Sequence, residues 1–243
     1  MMTNCRNEPD RWTVEHHDHL LRELSGKYDL VLDPVAVGGR SFSLYRVRDT
    51  NALLDSLTSD DLANDDRFPY WAQLWDSSVA LADWCLSSPA IPGATILELG
   101  CGIGLSGIAA AVAGATVMMT DFDADALNCA QLNVVRNLSP VERSRVEVSM
   151  LDWRFPHRTN RYDLVLGADI VYERQMFRPL LDLLHSAVSG GGTIMLADPD
   201  RSVGRAFFAM AEDDGFTVRL NEPAGLRLPT APRILLAELE ERG

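Results

Sequence analysis

The chain is short of cations: 22 Lys+Arg stand against 35 Asp+Glu in 243 residues, a formal net charge of −13. Affinity for duplex nucleic acid comes mostly from Lys and Arg on phosphates, so this balance argues against tight non-specific binding to it. A local basic patch is still compatible with a global deficit. Cysteines number only four and are scattered at Cys5, Cys85, Cys101 and Cys129, with no C-x-x-C pair. The common zinc-knuckle spacings are absent, and a disulfide scaffold is not expected. Long apolar runs are missing too. The most apolar stretch, Ile108 to Met119, is broken by Gly114 and Thr116, whereas a membrane span needs roughly 20 residues. The polar Met1 to Asp10 segment lacks the apolar core of a signal peptide. These absences point to a soluble protein of a reducing compartment, and so to the cytoplasm.

What is present is alternation. From Ala94 onward, short apolar runs alternate with helix-like segments. The spacing predicts strands over Ala94–Leu99, Ala115–Thr120, Arg145–Met150, Tyr162–Gly167 and Thr193–Ala197. Helices are expected over Leu105–Ala113, Asp123–Asn137, Phe177–Val188 (stopped by Gly190, Gly191 and Gly192) and Ser202–Asp214. Such alternation implies right-handed crossovers and a mostly parallel sheet covered on both faces. Phe216–Leu220 and Ile234–Leu239 are joined by a loop carrying Pro223, Pro229 and Pro232, without a helix between, and should close the sheet as an antiparallel hairpin. The expected fold is a doubly wound, Rossmann-like seven-stranded sheet.

Residues 1–67 read as an N-terminal extension and 68–243 as the main domain. Val14–Leu24 looks helical, and Tyr28–Val37 and Arg40–Arg48 alternate around Gly38-Gly39 as a hairpin. Asp60–Asp66 reads as an acidic solvated loop, and Asp76 as the cap of a helix over Ser77–Leu86. His16, His17 and His19 cannot all share one helix face, and no metal site is read there.

The chemistry concentrates in Leu97-Glu98-Leu99-Gly100-Cys101-Gly102-Ile103-Gly104-Leu105-Ser106-Gly107, which leaves a strand and enters a helix. Glycines let backbone turn sharply and approach a ligand, and the helix N-terminus beyond favours negative charge. Gly102-x-Gly104-x-x-Gly107 also satisfies the dinucleotide pattern, so the loop alone leaves an NAD(P) oxidoreductase open. Its surroundings discriminate. Glu98 suits a ligand ammonium better than a pyrophosphate. Asp121 ends the second strand, where a carboxylate accepts ribose hydroxyls. Asp152 follows the third strand and could take an adenine amino group, with Phe122 and Trp153 against the base. Ammonium, ribose and adenine together describe S-adenosylmethionine (SAM). Taken singly, Asp121 and Asp152 could be loop caps, Phe122 and Trp153 core residues, and Gly107 a packing glycine.

The segments LELGCGIGLSGIAAA, TDFDADALNCAQLNVVRN, LDW and GADIVYE, preceded by YWAQLWDSSVALADW, resemble the class I SAM-dependent methyltransferases. More narrowly they resemble the seven-β-strand protein-lysine methyltransferases and their bacterial relatives, the methyltransferase-16 group, over roughly Phe68 to Leu239. The resemblance implies that Trp75-Asp76 lies beside the SAM methionine, Asp121 holds the ribose, and Asp152-Trp153 borders adenine. Gly100, Gly102, Gly104 and Ala168 would complete the cofactor side. The D-x-x-Y signature Asp169-Ile170-Val171-Tyr172 would border the target amine, with Asp169 and Tyr172 as catalytic residues. Asp169 could also cap a helix starting near Glu173. A base methyltransferase resembling this fold would carry prolines in that tetrapeptide, for a flipped base to stack on; here there are none. The implied activity is N-methylation, first of a protein lysine. Small amines, arginine or histidine side chains and a non-catalytic SAM-binding module remain as alternatives.

Overall fold

The computed structural model describes residues 12–55, 69–155, 160–223 and 233–242. The acidic stretch 60–66 and the prolines at 229 and 232 lie outside the described residues. Seven strands form one sheet: β3 (Thr95–Leu99), β4 (Thr116–Asp121), β5 (Val146–Met150), β6 (Tyr162–Ala168), β7 (Val188–Asp198), β8 (Phe216–Asn221) and β9 (Leu235–Glu241). Their order is β5-β4-β3-β6-β7-β9-β8. The strands run parallel except β9, which is antiparallel to both β7 and β8. The expected doubly wound sheet with an antiparallel C-terminal hairpin is therefore found.

Alternation along each strand sorts the core. On β3, Ile96 belongs to the core shared with the helices Asp76–Ser87, Leu105–Val112 and Ala124–Asn137. Leu97 and Leu99 belong to the opposite core, with Phe177, Leu180 and Phe207 of the helices Phe177–Ala187 and Ser202–Asp213. β3 pairs with β4 on one side and β6 on the other. The crossovers reverse direction there, which opens a crevice beyond the carboxyl ends of those strands.

Two local expectations are corrected. Helix Phe177–Ala187 gives way directly to β7, so Gly190–Gly192 lie inside a strand and do not stop the helix. The reason is pairing: Val188 is in register with Tyr162, and the Arg161 guanidinium donates to the Val188 carbonyl at 2.6 Å. Asp76 is the first helical residue, and Trp75 holds the cap position without a side-chain bond. The Asp76 carboxylate still suits the positive end of the helix dipole.

The N-terminal elements are a helix, Val14–Lys27, and the hairpin β1 (Leu30–Val37) and β2 (Arg40–Val47). They dock on Ala124–Asn137 through an unusual edge. Asn133 accepts the Tyr45 amide at 2.6 Å and donates to the Tyr45 carbonyl at 3.0 Å. Asn137 does the same for Ser43, at 2.8 Å each way. Two amide side chains one helical turn apart thus satisfy the strand edge that would otherwise invite another strand. Asn133 also donates to the Ile103 carbonyl at 2.8 Å, which ties the hairpin to the glycine loop. His16 contacts Gln131, while His17 and His19 face acidic neighbours on their own helix.

Candidate functional site

The crevice holds a pocket with about 600 Å³ of empty space, part of it open to solvent. Its floor is main chain. The turn from β3 brings the Cys101 amide to the Thr120 carbonyl at 2.8 Å, locking the glycine loop onto β4. Gly102 has φ +51, and a Cβ there would meet only the Trp71 backbone at 3.5 Å. Its amide donates to Asp121 Oδ2 at 2.9 Å, while Asp121 Oδ1 accepts the Asp123 amide at 3.1 Å. Burial pushes the Asp121 carboxyl up to about 6, against the pull of those amides. Each oxygen keeps a lone pair for a further donor. Phe122 and Trp153 supply apolar walls, and Trp75, Gly100, Ala168, Asp169 and Tyr172 also line the pocket.

Nine of the residues singled out from sequence thus meet at one pocket: Trp75, Gly100, Gly102, Asp121, Phe122, Trp153, Ala168, Asp169 and Tyr172. Asp152 lines an adjoining pocket that shares Phe122, Trp153 and Tyr172. There it pairs with Arg154 at 2.7 Å, which holds its carboxyl below the usual range. Gly104 caps the helix Leu105–Val112 and packs on Met119 and Ala130, behind the pocket wall.

Glu98 departs furthest from expectation. Strand alternation puts it on the same face as Ile96, under the helix. Its Oε1 accepts the Gly107 amide at 3.1 Å, and it is only 3% exposed. A Cβ on Gly107 would stand 2.3 Å from Glu98 Oε2 and 2.7 Å from Met119, so this glycine permits the close helix–strand approach. Burial pushes the Glu98 carboxyl up to about 8, leaving it neutral at pH 7. It is not among the residues that line the pocket, and its burial works against a charge for a ligand ammonium.

The side of the pocket around Asp169 is built from three distant segments. Asp169 follows β6 with φ 61, and its amide donates to the Ala197 carbonyl at 2.8 Å. Asp169 does not cap the following short helix, whose cap position is Glu173. Instead its Oδ2 accepts the Ser77 hydroxyl at 3.3 Å, and its Oδ1 pairs with the Arg201 guanidinium. Burial raises the Asp169 carboxyl, and Arg201 and Ser77 oppose the rise. Tyr172 is raised by burial above the ordinary phenol range and stays protonated. Its ring lies 5.1 Å from that of Tyr70, whose carbonyl accepts the Trp75 indole N–H at 2.9 Å.

Sequence reading missed Trp71, Asp123 and Ile170 on the pocket wall, and Ser77 and Arg201 behind Asp169. Ile170 had a signal, being inside the D-x-x-Y signature. Arg201 had none, since it arrives from beyond β7.

The family described as lysine methyltransferase matches residues 62–214. Mouse EEF1A lysine methyltransferase 3 is 40% identical over 134 residues, covering 54% of this chain and 56% of its own length. Zebrafish protein N-lysine methyltransferase METTL21A is 37% identical over 132 residues, covering 52% and 59%. The chain spans a little over half the length of these curated relatives. The solved glycopeptide N-methyltransferase MtfA, complexed with SAM, superposes with a TM-score of 0.55 over 68% of this chain and 94% of its own. At 14% identity that likeness speaks for the fold alone.

Proposed function

This chain belongs to the lysine methyltransferase family, and we propose that it is a SAM-dependent N-methyltransferase whose acceptor is a protein lysine. The observation that carries the reading is the charge of the pocket. Three carboxylates, Asp121, Asp123 and Asp169, line it, the last of them paired with Arg201 from behind, and no Lys or Arg lines it among the described residues. A pyrophosphate would meet repulsion there, whereas a ligand bearing an ammonium and a sulfonium would not. This separates SAM from the NAD(P) that the nested glycine pattern leaves open. The buried indole N–H of Trp71, on the same wall, finds no acceptor among the described residues and is free to donate to a bound group.

In this reading Asp121 accepts the two ribose hydroxyls, Phe122 and Trp153 flank the adenine, and Asp152 stands at its edge. The main chain of Gly100 and Gly102, with Trp75 and Ala168 alongside, receives the methionine part. SAM, when bound, supplies a methyl group on a sulfonium for in-line transfer to a neutral nucleophile. The chain's own part is to place that nucleophile and manage its proton. Asp169 attracts and orients the amine in its cationic form. Tyr172 gives an aromatic wall, which favours a cation that gains methyl groups. Glu98 and Gly104 act one layer back, by holding the helix Leu105–Val112 on the sheet.

The domain runs over 68–243, with 1–67 as an extension whose described elements, the helix Val14–Lys27 and the hairpin of β1 and β2, brace on Ala124–Asn137. Cys85, Cys101 and Cys129 are buried free thiols, which supports a cytoplasmic setting. No helix among the described residues is long and apolar enough to cross a membrane. The net charge of −13 and the proline-free Asp169–Tyr172 segment turn the reading away from nucleic acid. Incubating a cell lysate with the protein and isotopically labelled SAM, then mapping label by mass spectrometry, tests the proposal. Label on specific lysines is expected. Label only on nucleic acid or on small amines, or no transfer by a protein that binds SAM, overturns it.

A further inference from the structure

A second cleft adjoins the cofactor pocket and shares Trp75 and Asp169 with it. Its other walls are Gln73, Leu74, Asp76, Ser77, Pro199 and Arg201. Arg201 pairs with Asp169 inside this cleft, and its guanidinium carbon lies 6.0 Å from the centre of the Trp75 ring. A cation held between a buried carboxylate and an aromatic face is what an acceptor lysine would become on arrival. Here the cation belongs to the protein itself.

The anchoring of Arg201 is asymmetric. Its amide donates to Asp198 Oδ1 at 2.9 Å, and Asp198 is fully buried at the end of β7. A Cβ on Gly204 would stand 2.7 Å from that carboxyl group, so the following helix is seated tightly against it. The backbone at 198–201 is thereby fixed. The Arg201 side chain remains 33% exposed, while Asp169 is 7% exposed. The guanidinium can leave without moving the main chain; the carboxylate it leaves cannot follow it into water. A buried carboxylate deprived of its cation is costly unless another replaces it.

We propose that Arg201 occupies the place that the acceptor ammonium takes on arrival, before its proton leaves and the neutral amine is methylated, so that the acceptor must displace an internal cation to reach Asp169. The inference rests on the amine-methyltransferase reading given above. It makes Arg201 a specificity-determining residue. An intramolecular competitor acts at an effective concentration of roughly millimolar or more. A small free amine brings only its contact with Asp169 and competes poorly. A lysine on a protein brings remote binding energy that can be spent on the exchange. The site would thus favour lysines presented on a folded partner over free alkylamines.

The probe is n-butylammonium chloride, the lysine side chain without its peptide, titrated while following the Trp75 indole N–H resonance. Arg201→Met should bind it at least fivefold more tightly than wild type. Arg201→Gln, which keeps a polar head without charge, should show the same gain and serves if the Met variant does not fold. Arg201→Lys keeps the internal cation and should stay within threefold of wild type. Adding Asp169→Asn to Arg201→Met should abolish the gain. A gain below fivefold in the folded neutral variants, or one that survives Asp169→Asn, overturns the proposal. The titration needs neither SAM nor turnover. A chain that fails to bind SAM would sink the methyltransferase reading, and this measurement would still decide the role of Arg201.

Discussion

The two halves of the site are made of different materials. The half assigned to the cofactor has a main-chain floor: a glycine loop pinned to β4, with one carboxylate fixed by two amides within the same twenty-odd residues. The acceptor half is a set of side chains, Ser77, Asp169 and Arg201, carried by three segments far apart in the chain. The first is held by main-chain bonds before any ligand arrives, which lowers the cost of ordering it. The second is an ion pair that can exchange partners. Damage to the first should therefore abolish cofactor binding, and damage to the second should alter what is methylated while leaving the cofactor in place.

The largest effect is expected at Gly102. Its φ of +51 is a region that a β-branched residue enters only at high cost, although a Cβ alone would meet ordinary contacts there. Gly102→Val should lower SAM affinity at least a hundredfold by calorimetry, while a thermal melt still shows a cooperative fold. A folded variant with normal affinity would remove this loop from the site. Asp121→Ala comes next, at tenfold or more, because hydrogen bonds to a charged group contribute about 1.5–3 kcal/mol each. Asp121 also predicts a pH dependence. Ligand hydroxyls donate to its ionised form, and burial holds the carboxyl up to about 6. SAM affinity of the wild type should therefore fall as pH drops through about 6. Asp121→Asn should be weak throughout and lack that fall.

Asp169→Asn sharpens the contrast from the other side. It keeps shape and removes the charge that attracts the amine. Transfer to the native acceptor should drop at least tenfold, with SAM affinity within fivefold of wild type. Parallel loss of both would move the D-x-x-Y segment into the cofactor half and erase the distinction. Tyr172→Phe, which keeps the aromatic wall, should cost only a few-fold in transfer.

The same division explains what could be read from sequence. The sheet order and the cofactor half follow from local rules: glycines between a strand and a helix, and acids at consecutive strand ends. Those rules place Gly100, Gly102, Asp121 and Trp153 together without knowledge of the rest of the chain. Arg201 is separated from Asp169 by the whole of helix Phe177–Ala187 and β7, and no spacing rule reaches that far. The same holds for Asn133 and Asn137, whose bonds to β2 cross some ninety positions. Asp76 and Gly190–Gly192 misled for the opposite reason. They carry strong local signals, a cap and a helix stop; strand pairing overrode the stop, and the cap position falls one residue earlier, on Trp75.

Glu98 tests the boundary between ligand-binding and supporting residues, and the effect on binding should be the smallest of all. Motif position assigns it to the cofactor, but the period of β3 turns it under the helix, against Gly107. Glu98→Gln preserves the acceptor for the Gly107 amide and the neutral state that the carboxyl already has at pH 7. SAM affinity should therefore change by less than threefold; a tenfold loss would return Glu98 to the ligand. Stability should reveal what the substitution does alter. The Glu98 carboxyl is raised from 4.5 to about 8 by burial, so the folded state holds its proton more tightly than the unfolded state does. Its stabilising contribution is present in full below about pH 4.5 and is lost as pH rises through about 8. The variant has no proton to lose. Melts of the two proteins should run close together near pH 5 and diverge towards about pH 9, with wild type the less stable by on the order of a few kcal/mol. If the gap between the curves stays constant with pH, Glu98 is already ionised in the folded protein, and the neutral, buried support inferred for it beneath the glycine loop is wrong.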